Sequence, residues 1–251
     1  MKNDVTVVMT TYNNHDFTSA CCRVFKRYYP DVRIILADGG STDKTTEDWN
    51  EYAEDIVMIP DGKIEDCRNA AAALVDTPFI LTMDNDAKVI GQEALPMLME
   101  SMKLRDDIAQ VGAYSMKVAS WEEKRLYCSR YYSEPMECDF HPAYFCLHRT
   151  EAWHSIGGMG KEWPFGNPPF EVKSETQKYN NGGDAYITIQ YHEKGWKSYT
   201  PKAEVPILHF VGAAWWSTDM DISHWWRDNH TICAINPLND WEKYEKGELK
   251  L

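Results

Sequence analysis

Two carboxylates, separated by one residue, follow an apolar run in the segment FILTMDNDAKV at residues 79–89. Residues two apart on a strand lie on one face, so Asp84 and Asp86 are expected side by side at the carboxyl end of a strand. Like charges this close repel each other unless a positive charge lies between them. Mg²⁺ and Mn²⁺ prefer such oxygen ligands and commonly carry substrate phosphates, so the spacing indicates a cation site. The alternative for this pair alone is a solvated acidic loop.

The first half of the chain alternates between short β-rich runs and segments with helical periodicity. Strands are predicted at residues 5–9, 32–38, 56–59, 79–83 and 108–114, and helices at 17–29, 45–54, 64–75 and 93–104. This alternation predicts an α/β fold, with an open, mainly parallel sheet and helices on both of its faces. Ligands of such sheets bind beyond the carboxyl ends of the strands. The polar residues that follow the predicted strands are Thr10, Thr11, Tyr12, Asn13, Asp38, Asp84 and Asp86.

The second half of the chain is less regular. Strands are predicted at residues 144–149 and 204–212, the latter carrying His209, and helices at 150–158 and 184–195. Residues 160–183 are rich in Gly, Pro and Asn and have no clear periodicity, which is typical of a functional loop or lid.

Composition limits which binding partners and which cellular compartment are expected. The net charge of −13 over 251 residues argues against a general nucleic-acid or anionic-membrane binder. An acidic protein can approach a diphosphate only through a metal or a local Arg/Lys cluster. The seven cysteines include no CxxC motif and are interpreted as reduced core thiols of a cytoplasmic protein. No signal peptide is predicted, and no segment approaches the roughly 18 apolar residues of a transmembrane helix.

Two common nucleotide-binding folds are excluded by the residues after the first predicted strand. These residues read TTYNNHD, without the glycines of the dinucleotide-binding motif GxGxxG, and the P-loop motif GxxxxGK[ST] does not occur in the chain. Nucleotide-sugar pyrophosphorylases share a parallel sheet but also need a glycine-rich loop at this point.

Five segments occur in the order found in GT-A glycosyltransferases, especially those of family 2. They are VTVVMTTYNN, IILADGGSTDKT, CRNAAAALVDTPFILTMDNDA, YFCLHRTEAWHSIGGM and NNGGDAYITIQYHEKGW. The chain from residue 4 to residue 212 resembles that family. The resemblance implies a GT-A type three-layer α/β/α sandwich with a mostly parallel central sheet. It divides the chain into a Rossmann-like nucleotide-sugar-binding half (1–115), an acceptor-binding half (116–212) and an aromatic extension (213–251).

The resemblance also implies an activity and a site. The activity is transfer of a sugar from a nucleoside-diphosphate sugar, expected to be a UDP-sugar, with Mn²⁺ or Mg²⁺ as cofactor. Asp86 would bind the metal that bridges the diphosphate, His209 would add a ligand, and Asp84 would hold the ribose or a metal-bound water. The carboxylate of Asp38 would accept a hydrogen bond from the base imide. The remaining donor contacts implied are Thr10, Thr11, Tyr12, Arg68 and Asn85.

Asp184 matches the acid of the family's Glu-Asp pair, which is usually the general base. Direct displacement with this base would invert the anomeric centre, and the alternative is a retaining reaction. The first member of the pair is Gly183 here, a departure that leaves the acceptor undetermined. Gly183, Trp163 and Phe165 are the candidate acceptor contacts. Simpler alternatives are a capping acid at a helix N-terminus for Asp184 and a satisfied core histidine for His209.

Several identities stay open at this stage. The acceptor could be a glycan, a lipid-linked sugar, a protein, a small molecule or a modified DNA base. The Trp-rich tail, with Trp215, Trp216, Trp225 and Trp226, could pack in the core, form a homo-oligomer or touch a membrane. The alternative functions are a metal-dependent nucleotidyltransferase or phosphohydrolase, and an inactive module that binds sugar nucleotides.

Overall fold

A computed structural model describes most of the first two hundred residues. The described residues are 4–113, 115–120, 125–129, 135, 137–138, 141, 143–160, 183–203 and 205–209. Only the backbone is described at 115–120, 125–129, 183–186 and 208–209.

The first half forms the alternating strands and helices that the sequence predicts, with small changes at their ends. Its elements are β1 (Val5–Thr11), α1 (His15–Tyr28), β2 (Arg33–Asp38), α2 (Thr45–Asp48), β3 (Asp55–Met58), α3 (Ile64–Ala72), β4 (Phe79–Asp84), β5 (Ala87–Val89), α4 (Ala94–Met102) and β6 (Ile108–Gly112). The helix predicted at 45–54 is one α-helical turn followed by a 3₁₀ turn at Trp49–Glu51. The strand β5 was not predicted, because three residues are too few to show an alternating pattern.

The second half adds strands to the same sheet. Its elements are β7 (Ser115–Ser120), β8 (Arg125–Ser129), β9 (Phe145–Arg149), α5 (Thr150–Ser155), α6 (Gly183–Glu193), β10 (Lys197–Tyr199) and β11 (Ile207–His209). Neither the β7–β8 hairpin nor β10 was predicted. The predicted final strand at 204–212 is present as β11, which does not join the main sheet but pairs antiparallel with β5.

The main sheet has seven strands in the order β10-β6-β9-β4-β1-β2-β3. Strands β1 to β4 pair in parallel where they are neighbours, and β10 is parallel to β6. Strand β9 lies antiparallel between β4 and β6, so the sheet is mixed although most of its pairs are parallel. The predicted α/β class is therefore confirmed, and one reversed strand interrupts the parallel order.

Alternate residues of each central strand enter two different hydrophobic cores. On β1, Val7 and Met9 pack in the core that holds residues of α1 and α4, whereas Val8 packs in the core that holds residues of α3, α5 and α6. Side chains of a strand alternate between faces, so a strand covered on both faces is apolar throughout. This explains why the sequence shows continuous apolar runs in these strands, and it confirms helices on both faces.

The five cysteines whose side chains the structure describes agree with the prediction of core thiols, since all are buried and none of them forms a disulfide. In the part of the chain that the structure describes, no helix combines the length and the apolar character needed to cross a bilayer.

The central strand β4 is expected to be the part of the sheet most sensitive to lost volume. Leu81 is fully buried on β4, between β1 and β9. Leu81→Ala should lower the free energy of unfolding by roughly 2–5 kcal/mol, because it removes buried methyl groups and leaves a cavity. Leu104→Ala is the control: its side chain is 53% exposed, and its change should stay within about 0.5 kcal/mol. Urea denaturation measures both, and equal losses would contradict this view of the core.

Candidate functional site

The register of β1 brings the predicted polar residues to one edge of the sheet. Thr11 lies opposite Asp38 on β2, and Thr10 lies opposite Asp84 on β4. Neighbouring strands are about 4.8 Å apart, so the ends of β2, β1 and β4 present these residues in a row. The convergence expected from the sequence is present in the fold, and we call this row the sheet rim.

Asp38 shapes the turn that follows β2. Its Oδ1 accepts hydrogen bonds from the backbone N–H groups of Gly40 (2.9 Å) and Ser41 (2.7 Å), and its Oδ2 accepts one from the Ser41 hydroxyl. Gly40 has φ +97°, a left-handed conformation that favours glycine. Asp38 is fully buried. An ionised carboxylate can accept about four hydrogen bonds, so the turn uses three and leaves room for one more.

Asn13 joins the loops that follow β1 and β2, a role that the sequence analysis did not assign. Its backbone N–H donates to the Ser41 hydroxyl (2.8 Å), and its side-chain oxygen accepts from the backbone N–H of Thr42 (2.7 Å). Its φ of +45° lies in the left-handed region, which asparagine tolerates better than most residues. The available signal was the Tyr-Asn-Asn run directly after a predicted strand.

Tyr12 is the exposed aromatic side chain of the sheet rim. It is 54% exposed. Its ring packs against Gly39, where an added Cβ would lie 3.4 Å from the ring carbon Cδ2. The free part of the ring offers an apolar face for stacking. Thr11 differs, because its hydroxyl is buried and hydrogen-bonded to that of Thr18 on α1 (2.7 Å).

Asp84 is held by an arginine from α3. A guanidinium nitrogen of Arg68, Nη2, forms an ion pair and hydrogen bond with Oδ1 of Asp84. The Arg68 side chain is 5% exposed, whereas that of Asp84 is 31% exposed. The sequence analysis placed both residues at a donor site without predicting that they would pair.

The strand geometry that predicted adjacent carboxylates ends at Asp84. Residues 85 and 86 form a turn between β4 and β5. Asn85 is buried in this turn. Its side-chain amide donates to the Thr18 hydroxyl (3.1 Å), and its backbone carbonyl accepts from the Cys21 thiol (2.9 Å). The turn is therefore anchored on α1. Since the turn interrupts the two-residue alternation, the rule that put Asp84 and Asp86 on one face does not extend to Asp86.

The small sheet of β5 and β11 brings the backbone of His209 near that of Asp86. His209 lies opposite Ala87, the residue after Asp86, in the antiparallel register. Asp86 is 5% exposed. Among the residues whose side chains the structure describes, there is no cluster of three or more potential metal ligands. The side chain of His209 is not one of those described. A carboxylate next to an imidazole-bearing strand is a donor set that fits Mn²⁺ or Mg²⁺.

Asp184 lies in the first turn of α6, one residue after Gly183. A carboxylate is favoured at this position by the helix dipole, which fits either a capping acid or a base held ready at a helix end. The predicted acceptor contacts Trp163 and Phe165 lie outside the described residues. So do residues 161–182 of the predicted functional loop and the Trp-rich tail.

The turn after α5 connects α3 with α6. The Asn69 side chain accepts from the backbone N–H of Met159 and donates to its carbonyl, both at 2.8 Å. The backbone N–H of Gly160 donates to the side-chain oxygen of Gln190 on α6 (3.1 Å). Gly158 has φ +86°, and an added Cβ there would lie 2.4 Å from the Asn69 oxygen, so only glycine fits. Asn69 and Gln190 were not singled out from the sequence.

A neutral histidine is buried beneath the site. Burial lowers the pKa of His148 to about 3, with further lowering by the charges of His141 and Arg68. Its nitrogens lie 3.2 Å from the Thr82 hydroxyl and 3.3 Å from the Tyr191 hydroxyl. His148 packs against residues of the sheet and of α6, so its buried ring supports the fold.

His15 ties α1 to α2 at the edge of the site. Its ring nitrogens lie 2.8 Å from Asp16 and 3.0 Å from Asp48, and its backbone N–H donates to Asp43 (2.9 Å). Burial lowers the pKa of His15, but the hydrogen bonds and negative charges of Asp16 and Asp48 outweigh it. The pKa is therefore raised above its ordinary value of 6.5.

A sequence model of one protein family matches the chain: its description is Glycosyl transferase family 2, and it covers residues 6–154, more than half of the chain. No curated protein matches the chain in sequence.

Two solved structures share the fold. One is the mannosyltransferase PcManGT from Pyrobaculum calidifontis in complex with GDP-mannose and Mn²⁺, with a TM-score of 0.55, 15% identity, and coverage of 78% of this chain and 54% of that one. The other is GalNAc-T7 with UDP, GalNAc and Mn²⁺, with a TM-score of 0.58, 12% identity, and coverage of 82% of this chain and 43% of that one. The chain thus spans about half the length of these proteins. At such low identity the likeness concerns the fold, and it confirms the GT-A fold expected from the sequence.

The raised pKa of His15 predicts a pH-dependent contribution to stability. A group whose pKa is higher in the folded state stabilises that state fully below its unfolded pKa of about 6.5, and the contribution is lost as the pH rises through the folded value. His15→Gln cannot take up the proton. The difference in unfolding free energy between wild type and this variant should therefore be larger at pH 6 than at pH 9. Urea denaturation at both pH values measures it, and a constant difference would contradict the assignment.

Proposed function

Because the chain belongs to glycosyl transferase family 2, we propose that it transfers a sugar from a nucleoside-diphosphate sugar to an acceptor hydroxyl with the help of a divalent cation. The observation that carries this proposal is the sheet rim, where the loops after β1, β2 and β4 meet beside the turn of Asp86. An open α/β sheet binds ligands at this edge. The rim combines an exposed aromatic ring, a tight glycine turn, a buried arginine and two carboxylates.

The nucleotide is proposed to lie along the rim, with its base against the exposed ring of Tyr12 and the turn of residues 39–41. With the expected UDP-sugar, the base at this position would be uracil. The Asp38 carboxylate would use its remaining acceptor position for the base imide. Because Asp38 is buried, the turn at 39–41 has to shift for that contact. Thr11 and Asn85, both hydrogen-bonded to Thr18, would support the site from behind.

The diphosphate is proposed to lie above the turn of Asp86. Asp86 and His209 would hold Mn²⁺ or Mg²⁺ there, and the bound cation would stabilise the negative charge that develops on the leaving diphosphate. Arg68 adds a positive charge to this region, which an acidic protein needs in order to accept an anionic donor. Asp84, held by Arg68, and Thr10 beside it would face the ribose.

The acceptor half of the site is proposed to lie at the start of α6. Asp184, in the first turn of α6, would take the proton from the acceptor hydroxyl as that oxygen attacks the anomeric carbon. Attack opposite the leaving diphosphate inverts the anomeric centre. Gly183, Trp163 and Phe165 would contact the acceptor, which we leave unspecified among glycans, lipid-linked sugars, proteins, small molecules and modified DNA bases. The half boundaries near residues 115 and 212 and a cytoplasmic location stay predictions.

Replacing Asp86 tests the proposed cation site. Asp86→Asn keeps the shape of the side chain but removes its charge, so donor hydrolysis and transfer should fall by at least about a hundredfold, in line with the several kcal/mol that a cation contributes to such a transition state. The donor is found first by thermal-shift screening of nucleotide sugars with Mn²⁺ and with EDTA. Release of UDP then measures turnover, and thermal unfolding checks the fold.

The matched control is Asp31→Asn, because Asp31 is exposed at the opposite edge of the sheet. It should retain full activity. Full activity of Asp86→Asn would rule out the proposed site. Products such as sugar-1-phosphate and UMP would indicate a phosphohydrolase instead.

Replacing Asp38 tests whether this residue contacts the base. Asp38→Asn can keep all three hydrogen bonds of the turn, but it places an N–H donor where uracil also presents a donor. The affinity for UDP should fall about tenfold relative to that for CDP, whose ring nitrogen accepts a hydrogen bond; this is roughly 1.4 kcal/mol. Calorimetry with Mn²⁺ measures both affinities.

Ser41→Ala serves as the control for the same turn, because it removes the two hydrogen bonds of the Ser41 hydroxyl, with Asp38 and with the backbone N–H of Asn13, without changing the carboxylate. It should weaken UDP and CDP equally. An unchanged ratio of UDP to CDP affinity in Asp38→Asn would show that Asp38 only holds the turn.

A further inference from the structure

We propose that two buried polar residues of the sheet fix the position of α6 and thereby the position of Asp184. These residues are Gln110 on β6 and His148 on β9, which bind Thr188 and Tyr191 on the helix. We call Gln110 and His148 the polar row. The inference rests on the proposed function, in which Asp184 takes the proton from the acceptor, and it deepens that function by assigning positioning residues to the reaction.

The polar row lies on a face of the sheet that is otherwise covered by an apolar core. Gln110 and His148 are direct neighbours in the antiparallel register of β6 and β9, so they lie on the same face. Both are fully buried, and the core on this face includes Ile80 on β4 and Ile187 on α6. A polar group buried in such a core costs free energy unless it is hydrogen-bonded, so each member of the row needs its partner on the helix.

The hydrogen bonds of His148 run in one direction. Burial lowers the pKa of its ring to about 3, so the ring is neutral and has one donor and one acceptor nitrogen. The Thr82 hydroxyl on β4 donates to the backbone carbonyl of Cys146 (3.1 Å), so its oxygen accepts from Nε2–H of His148 (3.2 Å). Nδ1 is then the acceptor, and the Tyr191 hydroxyl donates to it (3.3 Å). This chain of donors from α6 to β4 is complete only while Tyr191 stays in this place.

The second member of the row binds the helix one turn earlier. The side-chain amide of Gln110 donates to the hydroxyl of Thr188 and to that of Ser198 on β10 (2.8 Å for Ser198). Thr188 and Tyr191 are three positions apart and therefore lie on the same side of α6. Apolar contacts have no preferred direction, whereas hydrogen bonds weaken steeply when their angle changes. The two bonds together therefore fix both the height and the rotation of α6 on the sheet.

Asp184 begins the side of α6 that carries these bonds. It lies four positions before Thr188 and seven before Tyr191, about one and two helical turns. A slip of α6 by one residue would move the helix by about 1.5 Å and turn it by about 100°. A general base has to lie within about 2.6–3.2 Å of the atom whose proton it takes. A misplacement of about 1 Å can cost about a hundredfold in rate, so a base on α6 depends on how the helix is held.

The direction of α6 places its first turn towards the edge of the sheet that carries the rim. The helix ends at Glu193, and Lys197 then pairs with Ile108 at the start of β6. Strands β6 and β4 point the same way, because β9 is antiparallel to both. The helix therefore ends near the amino ends of these strands and begins on the side of their carboxyl ends, where the proposed donor site lies.

The test compares wild type, Tyr191→Phe, Asp184→Asn and the double variant. Release of UDP measures turnover, with water as the acceptor, Mn²⁺ present and the UDP-sugar found by thermal-shift screening as donor. Tyr191→Phe keeps the ring and removes only the hydroxyl, so kcat should fall about tenfold. The affinity for UDP, measured by calorimetry with Mn²⁺, should stay within about twofold of wild type, because the donor side is unchanged. Adding Tyr191→Phe to Asp184→Asn should lower kcat no further, because the positioned group is already lost.

Tyr29→Phe is the matched control on the other face of the sheet. The Tyr29 hydroxyl is also buried; it donates to the carbonyl of Gln92 and accepts from the backbone N–H of Leu95, both at 3.0 Å. The control should lower the urea midpoint of unfolding about as much as Tyr191→Phe does and leave kcat within about twofold of wild type. Gln110→Met removes the other bond to α6 and should also lower kcat, so it replaces Tyr191→Phe if that variant does not fold.

The outcomes separate this inference from the proposed function. If Tyr191→Phe keeps full kcat, or lowers kcat by the same factor with and without Asp184, the polar row only supports the fold and this inference alone is overturned. An equal loss of kcat in Tyr29→Phe overturns it too, because general destabilisation then explains the loss. If Asp184→Asn keeps full kcat, the proposed base is wrong and the inference is overturned with it. If wild type releases UDP from no nucleotide sugar, the proposed function itself fails.

Discussion

The hydrogen-bonded register of β1 is the constraint on which the candidate site depends. β1 lies between β2 and β4, and its parallel pairing sets Thr11 beside Asp38 and Thr10 beside Asp84. A shift of one residue would turn every side chain of a strand to the opposite face, and Val7, Val8 and Met9 would then leave the cores in which they pack. The cores on both faces of the sheet therefore hold the register that brings the polar residues together.

The loops at the rim are stabilised mainly by hydrogen bonds from short polar side chains. Asp38 and Asn13 accept backbone N–H groups of the turn after β2, while Thr18 holds Thr11 and Asn85 from below. Such contacts satisfy backbone and side-chain groups that would otherwise be buried without partners. They also leave the ring of Tyr12 as the exposed part of this edge. Apart from the turn at 39–41, which has to shift for a base to reach Asp38, the rim is shaped in advance of any ligand, which lowers the entropy that binding has to offset.

Charge is distributed unevenly around the site. The chain carries a net charge of −13, yet Arg68 and Lys88 are buried next to the acidic turn. A buried charge acts more strongly than an exposed one because water screens it less. Because Arg68 is paired with Asp84, part of this positive charge is offset within the protein. The two cations support the proposal that an acidic protein binds phosphates at this turn.

The sequence by itself determined the α/β class, the order of most helices and strands in the first half, and the set of polar residues at strand ends. These follow from periodicity and from turn residues, which are local properties of the chain. It also contained the motifs that identified the family. The reversed strand β9, the short strands β5 and β10, and the anchors Asn13, Asn69 and Gln190 were decided only by the tertiary structure. Strand direction and a hydrogen bond between residues 90 positions apart, such as that of Asn69 with Met159, depend on which segments pack together. The pairing of Arg68 with Asp84 belongs to the same group: the sequence placed both residues near a donor, but only the packing of α3 against the sheet brought the two charges into contact.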